Sequence, residues 1–347
     1  MPSSNAEWVQ SLSPWPEEFG LGRMRTLLAA LGDPQLAYPA IHVVGSNGKS
    51  TATRTIEALL LGEGLSVGAT VSPHVRRWSE RITVDGVEAD FEGAVARVRP
   101  EAERQAATQF ETVVAAALAE FAARGVDVAV VEAGLGGRLD ATNVLRTRVV
   151  LLTNVGLEHT DVLGETRAQI AAEKLAVVVE GAIAVLPDDE FAHLAGSQVV
   201  VGGAREAAAA FLGRPVEREV SVSLPGRLEQ RGPHELWDGA HNPDGARWLA
   251  ARLPPGPRVV VASILADKDA DAMLAALAGV GDRLVATRSS NPRALPAEEL
   301  ADRAGAYFAH VETVPDPHAA VARARRLGPV LVTGSLYLLA DLARNGA

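Results

Sequence analysis

Apolar and polar positions follow two alternating periods along this chain. Short, nearly continuous apolar runs are separated by longer segments in which apolar residues recur every three or four positions. That alternation predicts parallel strands covered by helices. In the first part, the runs 41–44, 66–71, 126–131, 148–155 and 182–186 read as strands. Between them, "TQFETVVAAALAEFAAR" (108–124) sets Phe110, Val113, Val114, Ala117, Leu118 and Phe121 at helical spacing, and Gly125 ends that helix. A second alternation gives strands at 236–238, 258–263, 283–287, 310–313 and 329–333. Helices are expected at 243–252, 269–278, 297–304, 317–326 and 335–343. The Pro- and Gly-containing stretch 224–233 reads as a linker. Two α/β domains are therefore expected, 1–228 and a smaller one at 229–347.

Length agrees, since 347 residues are long for one core. Hydrophobic residues make up 48% and charged residues 22%, as in an ordinary globular protein. The net charge of −10 argues against a sequence-independent grip on nucleic acid, which needs clustered Lys and Arg. The chain has no cysteine, which excludes disulfides, thiolate metal sites and Cys nucleophiles. The start "MPSSNAEWVQ" shows no basic and apolar leader. The most apolar run, Leu175 to Pro187, is broken by Glu180 and Gly181 and is too short to span a bilayer. A soluble cytoplasmic protein is expected.

Candidate chemistry begins in "IHVVGSNGKSTATRTIEALL" (Ile41–Leu60), an apolar strand, a glycine-bearing loop and a helix. Gly48-Lys49-Ser50-Thr51 matches the end of a phosphate-binding loop. Backbone N–H groups at the helix start would face an anion, Lys49 would add charge, and the Ser50 or Thr51 hydroxyl would reach Mg²⁺. Val43 stands where the full motif has its first glycine, so a plain strand–helix turn with a capping serine is the competing reading.

In open α/β sheets ligands sit at the carboxyl ends of strands. Three further strand ends offer the Ser72 hydroxyl, the Glu132 carboxylate and the His159 imidazole. Mostly oxygen donors of this kind suit Mg²⁺ held between protein and nucleotide. Each also has a bland reading: a turn start, a solvated strand end, a structural histidine. Lys174 lies on the apolar stripe of a helix expected at 165–179, four residues from Ile170 and from Val178. It either snorkels outward, the more economical reading of the stripe, or it is functional. Burial would lower its pKa, and a neutral amine can react with CO₂ to give a metal-binding carbamate. "GLGGRLDATN" (Gly134–Asn143) closely follows Glu132 and would let backbone approach a ligand.

Taken together, "GSNGKST", "SPH" with "ERITVDG", "TQFE", "EAGLGGRLDATNV", "GLEHTDVLGET", "AAEKLAV", "LPGRLE", "DGAHNPDGA", "DKD" and "VTGSLYL" occur in the order of one family. The chain resembles the bacterial dihydrofolate synthase/folylpolyglutamate synthase family within the Mur ligase superfamily, over nearly its whole length. The resemblance implies a P-loop-type, mostly parallel ATPase domain followed by a Rossmann-like domain. It also implies ATP-dependent addition of L-glutamate to dihydropteroate or reduced folates through an acyl phosphate, in a monomer with no nucleic-acid or membrane partner.

By residue, the resemblance implies ATP on Asn47, Gly48, Lys49, Ser50 and Thr51, with Arg227 and Asp238 from the second domain. Mg²⁺ would be held by Ser72, Glu132 and His159, and a second ion by carbamylated Lys174. Thr108, Gln109, Phe110, Glu111, Leu139, Asp140 and Ala141 would line the pterin site. Arg81 and Ser335 are candidates for the incoming glutamate, and His241 for that role or for the base. Three departures from the family pattern stand out: Ser50 directly follows Lys49, "EKLAV" surrounds Lys174, and the interval from Lys174 to Arg227 is short. In that interval "GGAREAAAA" occupies the place of an ATP-contacting asparagine. Alternative readings are another Mur-type amino-acid ligase and a P-loop ATPase switch without ligase chemistry.

Overall fold

A computed structural model describes residues 3–253 and 256–344. The chain divides into two compact units, Met1–Val222 and Ser223–Ala347.

The first unit is built on an eight-stranded sheet. Its strands are β1 (Ala40–Val44), β2 (Val67–Thr70), β3 (Ile82–Val84), β4 (Val87–Glu88), β5 (Val128–Glu132), β6 (Thr147–Leu152), β7 (Ile183–Leu186) and β8 (Gln198–Val201). They lie in the order β4-β3-β2-β5-β1-β6-β7-β8. Strands β2, β5, β1, β6, β7 and β8 are parallel, and β3 and β4 form an antiparallel edge. Central strands of such a sheet are covered on both faces and so read as continuous apolar runs. Residues Ala40–Val44 are all buried, as are Val128–Glu132. On one face Ile41 and Val43 pack with Ile56, Leu59 and Leu60 of the helix Lys49–Gly62. On the other, Ala129 and Val131 pack with Val114, Leu118 and Phe121 of the helix Gln109–Arg124. Fully burying a side chain the size of Val, Leu or Phe contributes about 1.5–3 kcal/mol, so this helix is a main support of the sheet. Gly125 closes it in the left-handed region, φ 66°.

The second unit carries a six-stranded sheet. Its strands are β9 (Glu229–Gly232), β10 (Glu235–Trp237), β11 (Val259–Ala262), β12 (Arg283–Ala286), β13 (His310–Thr313) and β14 (Val330–Thr333), in the order β13-β12-β11-β14-β10-β9. All neighbours are parallel except β9, which pairs antiparallel with β10.

Two expectations need correction, and one departure gains a structural account. The stretch 224–233 is not a linker: Leu224 bridges Arg227, and β9 forms an edge hairpin whose turn carries Pro233. The helix around Lys174 spans Arg167–Leu175, shorter than 165–179, because Thr166 and Gln169 close a capping box at its start and a turn follows Leu175. In the short interval before Arg227, "GGAREAAAA" opens the helix Ala204–Leu212, whose Ala207, Ala208 and Phe211 pack in the same core as Ile56 and Leu60. Its small residues serve that close packing.

Candidate active site

The phosphate-type loop follows β1, at the point where the chain's path across the sheet reverses. Strand β2 lies on one side of β1, beyond β5, and β6 lies on the other. Gly48 is left-handed, φ 79°, and caps the helix Lys49–Gly62 without any side-chain hydrogen bond. The first N–H groups of that helix are thus left to backbone geometry alone, the arrangement that receives anions. The loop is fixed from β6. The Asn47 amide donates to Asn154 Oδ1 at 2.9 Å, Thr153 Oγ1 donates to the Asn47 carbonyl at 2.7 Å, and the Gly156 amide donates to Ser46 Oγ at 3.0 Å. Sequence reasoning did not single out Thr153 and Asn154; their signal was two polar residues directly after a buried strand.

Two ammonium groups converge on one carbonyl of this loop. Lys49 Nζ donates to the Gly45 carbonyl at 2.9 Å and to that of Ser46 at 3.3 Å. Lys174 Nζ donates to the same Gly45 carbonyl at 3.1 Å and to Glu158 Oε1 at 2.9 Å. Lys174 is 1% exposed, so it does not snorkel. Its pKa is lowered, first by burial and also by Lys49, while Glu158 opposes the shift. Burial alone would raise Glu158, but the ammonium groups of Lys174 and Lys49 bring it down to about 2. Glu158 was not among the expected site residues, although it directly precedes His159.

Glu132 ends β5 with its Cα beside that of Val43. Its carboxylate is buried. Oε1 accepts from Ser50 Oγ at 3.1 Å, and Oε2 accepts from the Ser72 amide at 2.9 Å. Loop hydroxyl, strand-end carboxylate and the Ser72 turn therefore meet. His159 is left-handed, φ 45°, and its carbonyl receives the amides of Val162 and Leu163. Among the described residues no three His, Asp or Glu side chains form a metal-binding group.

The expected pterin-site residues divide. Thr108 and Glu111 close a capping box on the helix Gln109–Arg124, and Glu111 also accepts from Arg23 Nε at 2.8 Å. The Gln109 side chain donates to the Val9 carbonyl at 3.1 Å. Glu111 and Gln109 thus anchor the amino-terminal segment, and Thr108 caps the helix. The Phe110 ring lies against Gly134, so close that a Cβ there would be 2.6 Å from it. Leu139 is exposed and Ala141 half-buried. Asp140 is buried, and its carboxylate receives the Leu135 amide at 2.8 Å and the Thr142 amide at 3.0 Å. Its pKa is raised by burial against these donors. Arg81, also buried, donates from Nε to His74 Nδ1 at 2.9 Å and lies over the Trp78 ring.

In the second unit, Asp238 follows β10 and accepts the amides of Leu228 at 2.8 Å and Ala240 at 2.9 Å. Burial raises its pKa, and the Arg227 guanidinium opposes this. His241 Nδ1 lies 2.9 Å from the Gly239 carbonyl. A carbonyl only accepts, so Nδ1 is the donor in this pair. Ser335 is 1% exposed and its Oγ accepts the Tyr337 amide at 3.1 Å.

Both parts of the chain match known protein families. Residues 43–221 match the Mur ligase middle domain, and residues 226–336 match the Mur ligase glutamate ligase domain. A dihydrofolate synthase/folylpolyglutamate synthase of Mycobacterium tuberculosis is 33% identical, with 85% of this chain and 80% of that protein covered. The M. tuberculosis folylpolyglutamate synthase solved with ADP superposes with a TM-score of 0.88 at 29% identity, covering 96% of each chain. The Escherichia coli protein solved with DHPP and ADP gives a TM-score of 0.86 at 29% identity, covering 99% of this chain and 98% of that one. A bifunctional folylpolyglutamate synthase/dihydrofolate synthase solved with Mn, AMPPNP and L-glutamate gives 0.85 at 29% identity, covering 98% and 97%. The chain belongs to the dihydrofolate synthase/folylpolyglutamate synthase family of Mur ligases, the ATP-dependent glutamate ligases.

Proposed function

We propose that this enzyme joins the amino group of L-glutamate to the carboxylate of dihydropteroate, of reduced folates, or of both, as a cytoplasmic monomer. A carboxylate does not condense with an amine in water because its oxygen is a poor leaving group. In the proposed path a carboxylate oxygen attacks the γ-phosphorus of ATP, the bond to the β-phosphate oxygen breaks and ADP leaves. The glutamate nitrogen then attacks the acyl carbon, inorganic phosphate leaves, and the nitrogen gives up a proton.

Positioning and charge stabilisation supply most of the catalysis in phosphoryl transfer. Lys49 and the first amides of its helix would neutralise charge developing on the transferred oxygens. Arg227 and Asp238 would hold the nucleotide from the second unit. His241 Nε2 would take the amine proton, and Arg81 and Ser335 would receive glutamate. The donors Ser50, Ser72, Glu132 and His159 are three hard oxygen ligands and one imidazole, a set that fits Mg²⁺. Ser72, Glu132 and His159 would hold one ion, and carbamylated Lys174 a second. Bound Mg²⁺ supplies charge neutralisation on the phosphate oxygens. Burial of Lys174 favours the neutral amine that carbamate formation requires, and Glu158 opposes it.

The observation that carries this reading is the hydrogen bond between Ser50 of the phosphate-type loop and the buried Glu132 carboxylate. It joins the two parts a nucleotide and its metal must share. Mass spectrometry of products from dihydropteroate, and separately from tetrahydrofolate, with ATP, Mg²⁺ and L-glutamate tests it. A product heavier by one glutamyl residue is expected. Turnover of ATP with no glutamate added to either acid would overturn the folate assignment.

A further inference from the structure

A buried polar relay crosses from β1 to the glycine loop, and the chemistry above does not use it. His42, three residues before Gly45, is wholly buried in the middle of β1. Its Nε2 lies 2.7 Å from Thr142 Oγ1, and the Thr142 hydroxyl donates to Asp140 Oδ1. A hydroxyl has one proton, and here the carboxylate takes it. The imidazole must therefore donate from Nε2, which leaves Nδ1 as a bare acceptor. Nδ1 is buried and has no hydrogen-bond partner.

An unsatisfied buried acceptor is a cost that an apolar side chain at position 42 would not incur. Packing alone therefore does not account for a histidine here. The relay does fix something else. Asp140 gathers the amides of Leu135 and Thr142, so it ties the two ends of the segment Leu135–Thr142 together. That segment follows Glu132 and contains Leu139, Asp140 and Ala141.

We propose that His42 and Thr142 are positioning residues for the carboxylic-acid substrate: they hold Asp140 in one orientation, and Asp140 holds the loop 134–143 in its binding shape. This rests on the reading that the loop lines the acid's pocket.

The test compares His42→Leu, His42→Gln, Thr142→Val and the double variant H42L/T142V with the parent enzyme. A glutamine can place its Nε2 where the imidazole has its own. His42→Leu is expected to raise KM for dihydropteroate about tenfold, the size of one net hydrogen bond, with KM for ATP changed less than about twofold. His42→Gln is expected to restore most of the loss. H42L/T142V is expected to be no worse than T142V, because His42 acts only through Thr142. Amide exchange in the peptide 134–143 is expected to speed up in His42→Leu and to return to the parent rate in His42→Gln, with the peptide 45–51 unchanged. The relay is refuted if His42→Leu and His42→Gln behave alike, if the two single effects multiply, or if exchange in 134–143 is unaltered. The exchange measurement needs no substrate, so a failure of dihydropteroate to react sinks the substrate reading and leaves the relay tested on its own.

Discussion

At the scale of single residues, charge placement separates the groups proposed for catalysis from structural ones. Lys49 donates to two carbonyls of its own loop, and the Gly45 carbonyl keeps Lys174 as a donor when Lys49 is removed. Lys49→Met is expected to keep the thermal midpoint near that of the parent and to lower kcat by on the order of 10²-fold or more, the usual loss when one preorganised donor to developing charge is removed. Steady-state glutamate-dependent ADP release measures it. His42 makes the opposite case. Burial lowers its pKa from 6.5 to about 3. The unfolded chain therefore takes up a proton near 6.5 that the folded chain refuses until about pH 3. The stability His42 contributes is complete above 6.5 and is lost as pH falls through that window. Urea midpoints measured from pH 7 to pH 3.5 are expected to fall less steeply in His42→Gln than in the parent. An identical slope in both would mean that the imidazole titrates normally in the folded protein.

Elements show how much of this could be read from sequence. Buried parallel strands announce themselves as apolar runs, which is why 41–44 and 183–186 lie within or at the expected positions and Glu132 falls at a strand end. The helix Phe91–Arg104 gave little signal, because Pro100, a residue that usually ends helices, lies inside it and its buried face includes the small Ala94 and Ala102. Strand β9 was hidden in a stretch whose Gly and Pro look like punctuation but form a hairpin turn. The apolar stripe marked Lys174 as unusual, but its more economical reading, outward snorkelling, was wrong, and partners distant in sequence such as Glu158 and Arg23 left no signal. The packing of the glycine loop on a helix end was equally invisible. At Gly137 a Cβ would stand 2.6 Å from the Lys174 carbonyl and 2.8 Å from that of Glu173, both backbone. The Arg138 amide also donates to the Glu173 carbonyl, at 3.1 Å. Gly137→Ala must push the loop off this helix, and overpacking of this kind costs about 1–3 kcal/mol. A lower urea midpoint at unchanged slope is the expected result, and a midpoint equal to the parent's would show that the loop moves freely.

For the whole molecule, the division of labour between the two units sets the last expectation. The first unit holds the loop, Lys49 and the strand-end carboxylate, the groups proposed to act on the phosphoryl group. The second holds Arg227 beside Asp238, whose carboxylate is already engaged by two backbone amides. That carboxylate is held in place by its own unit, independently of any nucleotide. On the proposed reading Arg227 holds the nucleotide, and its loss would show as weaker nucleotide affinity. If the second unit contributes binding and the first contributes chemistry, the two variants must fail differently. Lys49→Met loses kcat, whereas Arg227→Met raises KM for ATP about tenfold with kcat little changed, the signature of lost uniform binding. Parallel kinetics with ATP varied at saturating acid and glutamate distinguish them. An Arg227→Met enzyme with the parent's KM for ATP would remove the second unit from nucleotide binding and leave its strand-end residues to the amino-acid substrate.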